Sequence, residues 1–121
     1  MSQPPDSSSE CSEIVVAVLD WLDDLSAPTE TVDEAFELLA HRRRRVFLHV
    51  MRSYGEAVTL PDAAEAVASQ EFGRDVVELS AERVANVYLS LYHDHLPRLV
   101  DAGLVRYDQD RDLVAPTSAP A

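Results

Sequence analysis

The chain has 121 residues, 46% of them hydrophobic, and a single cysteine, Cys11. That suits one compact domain with short flanking segments and excludes an intrachain disulfide or a multi-cysteine metal site. Twenty-two acidic residues stand against ten basic ones, all arginine, for a formal net charge of −12, and no apolar run approaches the ~18 residues that span a bilayer.

An acidic excess of this size self-repels in dilute buffer and is screened in concentrated salt. The composition therefore reads as that of a salt-in halophilic archaeon, although a GC-rich genome gives the same arginine bias. No basic segment precedes Ile14–Leu19 as it would in a secretory signal. The expected compartment is the cytoplasm, with no membrane contact.

Residues 1–12, rich in Ser and Pro, are expected to form a disordered tail. Residues 13–30 read as an N-terminal amphipathic helix and linker. Ile14, Val15, Val18, Leu19, Leu22 and Leu25 recur at helical spacing, Ser12 is the expected N-cap, and "SAPTET" ends the pattern. A second helix is expected from about Thr31 to just before Gly55, with Val32, Phe36, Leu39, Val46, Phe47, Val50 and Tyr54 on one face. "EAVTL" suits a short extended connection. "PDAAEAVASQEF" then reads as a third helix, with Pro61 in its first turn and Asp62 at the positive end of its dipole.

"GRDVVEL" reads as a loop, after which Ser80 caps a long fourth helix that stops at Gly103 and is kinked or divided by Pro97. "LVRYDQDRDLVAP" gives two short strands around "DQDRD", a β-hairpin. Residues 31–116 thus form a mainly α domain with a small β-hairpin wing. This is a winged helix-turn-helix order with an extra N-terminal helix, and residues 117–121 are expected to fray. Phe36, Val46, Leu89 and Leu96 are expected to share one interior.

The stretch "HDHLPRLVDAGLVRYD" sharpens that reading. His95, Leu96, Leu99, Ala102, Gly103, Leu104 and Val105 resemble the end of the recognition helix and the start of the wing in ArsR-like winged helix-turn-helix regulators. Leu39, Arg43, Val46 and Phe47 match the first core helix of that family. Over residues 32–115 the chain is similar to a haloarchaeal winged-helix domain family of unknown function, on "AFELLAHRRRRVFLHVM" and "LYHDHLPRLVDAGLVRYD". The resemblance implies a DNA-binding transcriptional regulator. Asp94 and Pro97 depart from it, standing where ArsR-like relatives tend to carry basic residues.

Four consecutive arginines, Arg42 to Arg45, invite a nucleic-acid reading. On the helix predicted for them Arg43 falls within the apolar stripe, with Arg42 at its edge, so Arg43 is expected to be structural and to find a carboxylate or carbonyls in another segment. Arg44 and Arg45 are expected to face solvent, either as a hydrated surface or as phosphate contacts. In the fourth helix the main buried face is expected to hold Ala85, Leu89, Tyr92, Leu96, Leu99 and Val100. Val84, Val87, Tyr88 and Leu91 form a second apolar stripe, read as a homodimer interface, with packing by residues 14–25 as the alternative. The polar strip Arg83, Asn86, Ser90, His93, Asp94 and Arg98 is the candidate groove-reading face, with Arg106 and Arg111 on the wing. Gly103 is assigned a structural role at the helix stop.

His93 and His95 are two residues apart and His41 and His49 eight apart, without cysteine partners, so no metal ligand set is expected. His95 is expected at a helix interface or turn. With Gly55, Gly73 and Gly103 as the only glycines there is no phosphate-cradling loop, and neither G-x-S-x-G nor H-E-x-x-H occurs. Neither an enzyme nor a cofactor is indicated. The leading expectation is a winged helix-turn-helix regulator binding double-stranded DNA as a homodimer. The alternative is a winged-helix protein–protein interaction module that does not bind DNA.

Overall fold

In the computed structural model, which describes residues 7–117, the chain divides after Glu34 into two compact units. The expected tail at residues 1–6 and the expected frayed end at residues 118–121 lie outside the described residues.

The first unit holds helix α1 (Ser7–Asp23), which begins within the segment expected to be tail. Ser12 therefore lies inside the helix and not at its cap. Of the predicted stripe, Val18 and Leu22 are half-buried, while Ile14, Val15, Leu19 and Leu25 are exposed. Helix α2 (Thr29–Leu39) runs across the unit boundary. The second helix expected over residues 31–54 is in fact two, because the chain turns at Ala40–His41 before helix α3 (Arg42–Tyr54).

The second unit is a helical domain with a small β wing. Strand β1 (Val58–Thr59), helix α4 (Leu60–Phe72), a 3₁₀ turn at Val76–Glu78 and helix α5 (Ala81–Ser90) follow α3. A π-turn (Leu91–His95), helix α6 (Leu96–Asp101) and strands β2 (Val105–Asp108) and β3 (Leu113–Pro116) complete it. Helix ends sit where local chemistry puts them. Thr59 Oγ1 accepts from the Asp62 N–H at 3.2 Å with Pro61 in the first turn, and Ser80 Oγ accepts from the Arg83 N–H at 3.1 Å. Gly55 closes α3 at φ 66°, a left-handed conformation that costs other residues energy.

The predicted hairpin is present, paired from Val105↔Pro116 to Asp108↔Leu113. Asp108 organises its turn by accepting from the backbone N–H groups of Asp110 and Arg111 at 3.1 and 3.3 Å. The extended "EAVTL" segment adds a third strand, because Val58 and Thr59 pair with Val114 and Leu113 in the order β1-β3-β2. Among the described residues no helix is long and apolar enough to cross a membrane.

The core is built on α4, whose Ala63, Ala64 and Ala68 are small enough to bring neighbouring helices close. Phe47, Val50 and Met51 of α3 join this cluster with Val87 of α5 and Leu91, and Val105 and Val114 add the sheet's contribution. Each large side chain removed from water here contributes about 1.5–3 kcal/mol. Of the four residues expected to share this interior, Leu96 is buried and Val46 half-buried against it. Phe36 and Leu89 are exposed, at 46% and 49%, and the half-buried residue of α2 against the core is Leu38.

The misplaced Leu89 has a definite cause. Leu96 donates its N–H to the carbonyl of Leu91, five residues back, so the run 91–95 contains one residue more than a regular turn. Pro97 follows at once, without an N–H to offer. The extra residue rotates everything upstream by about 100° relative to α6. The face that continues Leu96 and Leu99 is then Leu91 and Val87, with Tyr92 half-buried beside them, and not Leu89 and Ala85.

Candidate functional site

The arginine cluster opens α3, where four cations oppose the positive end of the helix dipole. His41 precedes them in extended conformation and its side chain caps nothing. The cations are held by other partners. Arg43 Nε and Nη2 donate to the two carboxylate oxygens of Glu71 on α4 at 2.7 and 2.8 Å, a bidentate pair that raises the Arg43 pKa. Arg42 reaches the Glu71 carbonyl at 3.5 Å. Arg44 donates Nε–H to His95 Nδ1 at 3.1 Å and directs Nη1 to the Glu37 carbonyl at 3.5 Å, while Arg45 donates to the Leu39 carbonyl. The last two thus satisfy carbonyls at the C-terminal end of α2.

Arg43 therefore has the carboxylate from another segment that its position demanded. Arg44 differs from expectation, being 5% exposed where solvent was predicted. The helix break explains this. With Val32, Phe36 and Leu39 removed from the face, the apolar side of α3 re-centres on Phe47, Val50 and Met51, and Arg44 falls beside it. A side chain so enclosed offers nothing to a phosphate, whereas Arg45 stays exposed with one donor engaged. His95 is half-buried, with its ring centroid 5.9 Å from that of His41. Burial first, and then the adjacent Arg44 charge, hold its pKa below the ordinary imidazole range.

Half of the stripe assigned to a dimer interface is interior. Val87 and Leu91 are 1% and 0% exposed, and Val84 and Tyr88 are half-buried against the core. Tyr88 also crosses to the hairpin, donating its hydroxyl to Asp112 at 3.0 Å, and Tyr107 donates to the same carboxylate at 2.6 Å. Burial and then this bond raise the pKa of each hydroxyl. Asp112 sits at φ 53°, held by Tyr107 within the wing and by Tyr88, which ties α5 to it.

The candidate groove-reading residues lie mostly at the surface. Arg83, Asn86, His93, Asp94 and Arg98 are exposed, and Ser90 is half-buried. The Arg83 guanidinium lies 4.5 Å over the Phe72 ring, and His93 meets Tyr92 edge-on at 5.0 Å. On the wing Arg106 and Arg111 are exposed, with Arg111 3.8 Å from Asp108. Glu82, Asp94 and Asp101 accompany the two arginines of the long helix, and Asp108, Asp110 and Asp112 accompany the two of the wing. The surface is polar but not basic.

At 100° per residue Arg83, Asn86 and Ser90 share one flank of α5, and Ala81, Ala85 and Tyr88 share nearly the opposite one. On that second flank lies a feature that the sequence reading missed, an apolar cavity of about 690 Å³ between α4, the 3₁₀ turn and α5. Its signal was the Val76–Val77 pair inside a segment read as loop.

The family model described as Domain of unknown function (DUF7344) matches residues 36–115. No curated protein and no solved structure matches the chain.

Proposed function

Since the chain belongs to the DUF7344 family, whose function is unknown, we propose its role from its own geometry: a winged helix-turn-helix domain that binds double-stranded DNA in transcription regulation. The observation that carries this reading is the long helical run from Ala81 to Asp101. It presents Arg83, Asn86, His93 and Arg98 at the surface, and the β2–β3 hairpin bearing Arg106 and Arg111 follows it. A helix with Arg and Asn on its outer side and a β-ribbon after it is the combination that reads a major groove and touches the backbone beside it. The likeness of residues 32–115 to haloarchaeal winged-helix and ArsR-like domains supports the same reading.

Arg44 leaves the set of proposed contacts, because it is buried. Reading paired half-sites favours a homodimer, and that dimer needs a surface other than the buried Val87 and Leu91. The carboxylates around the strip keep phosphate contacts few, so the reading implies a shallow salt dependence, about −0.9 in log K per phosphate contacted.

The test is fluorescence titration of genomic fragments in a KCl series, with Arg83→Ala and Arg98→Ala as variants. Saturable binding of particular fragments, weakened about tenfold or more by either variant, supports the proposal. Absence of binding to any fragment across the series refutes it. A second reading, a module that binds protein, is favoured by the apolar cavity on the other flank of α5.

A further inference from the structure

We infer that the groove between α4, the 3₁₀ turn and α5 is a docking site for a basic amphipathic helix of another protein. The inference names the partner class for the protein-binding reading and stands apart from DNA binding, because the groove and the polar strip occupy different flanks of α5.

Two cavities, of about 690 and 540 Å³, adjoin here and share Glu65, Val76 and Val77 as walls. Their floor is apolar, with Val84 and Tyr88 half-buried and Ala64 fully buried. Their rim exposes Val77 at 88% and Leu89 at 49%, side chains that water solvates poorly. The charged residues among the walls are Asp62, Glu65 and Asp75, with no arginine or histidine among them. Arg74 and Arg83, the nearest cations along the chain, line neither cavity, and Arg83 lies over Phe72.

An apolar trough whose charged wall residues are all carboxylates selects its occupant by charge. Phosphates are repelled, so duplex DNA does not fit. Helix α1 of a second copy brings Glu10, Glu13, Asp20 and Asp23 and no arginine, so it is repelled as well. The one arginine-rich stretch of the chain is held by Glu71, His95 and the end of α2. What fits is a foreign helix with apolar anchors at i, i+3, i+4 and i+7 and Arg or Lys flanking them.

Three designed peptides test this on the full chain by fluorescence anisotropy at moderate KCl. One is amphipathic with leucine anchors and arginine flanks, the second is its sequence-scrambled isomer, and the third keeps the anchors but carries glutamate flanks. The first is expected to bind at least tenfold more tightly than either of the others. Val77→Ser and Leu89→Ser should each weaken it several-fold with the circular dichroism spectrum unchanged, and Glu65→Gln with Asp75→Asn should flatten its salt dependence. Equal binding of the three peptides, or binding indifferent to Val77→Ser and Leu89→Ser, overturns the inference. So does a dimeric mass that those two variants render monomeric, which would give the groove to a second copy. Loss of duplex DNA binding in Val77→Ser would give it to nucleic acid and equally overturn the inference.

Discussion

Replacing Glu71 by alanine leaves the Arg43 guanidinium without its carboxylate in a place where water only partly compensates. The two side chains are 28% and 11% exposed and meet through two parallel bonds of 2.7 and 2.8 Å. An exposed ion pair contributes about 0–1 kcal/mol, and breaking a fully buried one costs about 3–5 kcal/mol. The intermediate enclosure places Glu71→Ala at about 2 kcal/mol, a fall in Tm of roughly 10 °C for a domain of this size. A double-mutant cycle of Arg43→Leu and Glu71→Leu, followed by urea unfolding, should give a coupling of about 1–2 kcal/mol. The double variant should be less destabilised than the sum of the singles, because it leaves no orphaned charge. The coupling should largely persist in molar KCl, since salt screens partly buried pairs much less than exposed ones. Arg111 and Asp108, both exposed and 3.8 Å apart, serve as the control and should show no measurable coupling. A coupling below about 0.5 kcal/mol for Arg43 and Glu71 would refute the view that this pair fastens α3 to α4.

Two further predictions follow from the corrected faces and from His95. Leu91→Ala should cost about 2–5 kcal/mol in urea unfolding and Leu89→Ala no more than about 0.5 kcal/mol, and the reverse order would contradict the π-turn register. His95 binds a proton less readily in the folded chain than in the unfolded one, through burial, Arg44, Arg43 and His41, with Asp94 opposing them. Stability should therefore hold above about pH 6.5 and decline as pH falls below it. Protonation also removes the lone pair that accepts from Arg44. Urea midpoints between pH 5 and 8 check this, and an equally steep decline in His95→Gln would assign it to another group.

Local signals were legible because they act over three or four residues. Ser80, Pro61, Gly55 and Gly103 mark helix boundaries through single hydrogen bonds or a single backbone angle, and the hairpin announced itself by two apolar runs around an aspartate-rich turn. Residue faces depend on unbroken register, and the register breaks twice. At Ala40–His41 an expected 24-residue helix became two, moving Arg44 inward. At Leu91–His95 one surplus residue turned the inner side of α5 by about 100°. The third strand was invisible for a different reason, since Val58 pairs with Val114 and nothing near Val58 encodes that partner. The groove walls come from three segments, and the charge pattern that characterises them exists only after folding.

The five-residue turn at Leu91–His95 also bears on where this chain tolerates a change in length. One amino acid lost between Leu91 and His95 would convert that stretch to ordinary α-helix and swing Leu96 and Leu99 outward by about 100°. One gained elsewhere in α5 would do comparable harm on the other side. A relative lacking the surplus residue is therefore expected to carry its apolar pattern one step out of phase on one side of that point.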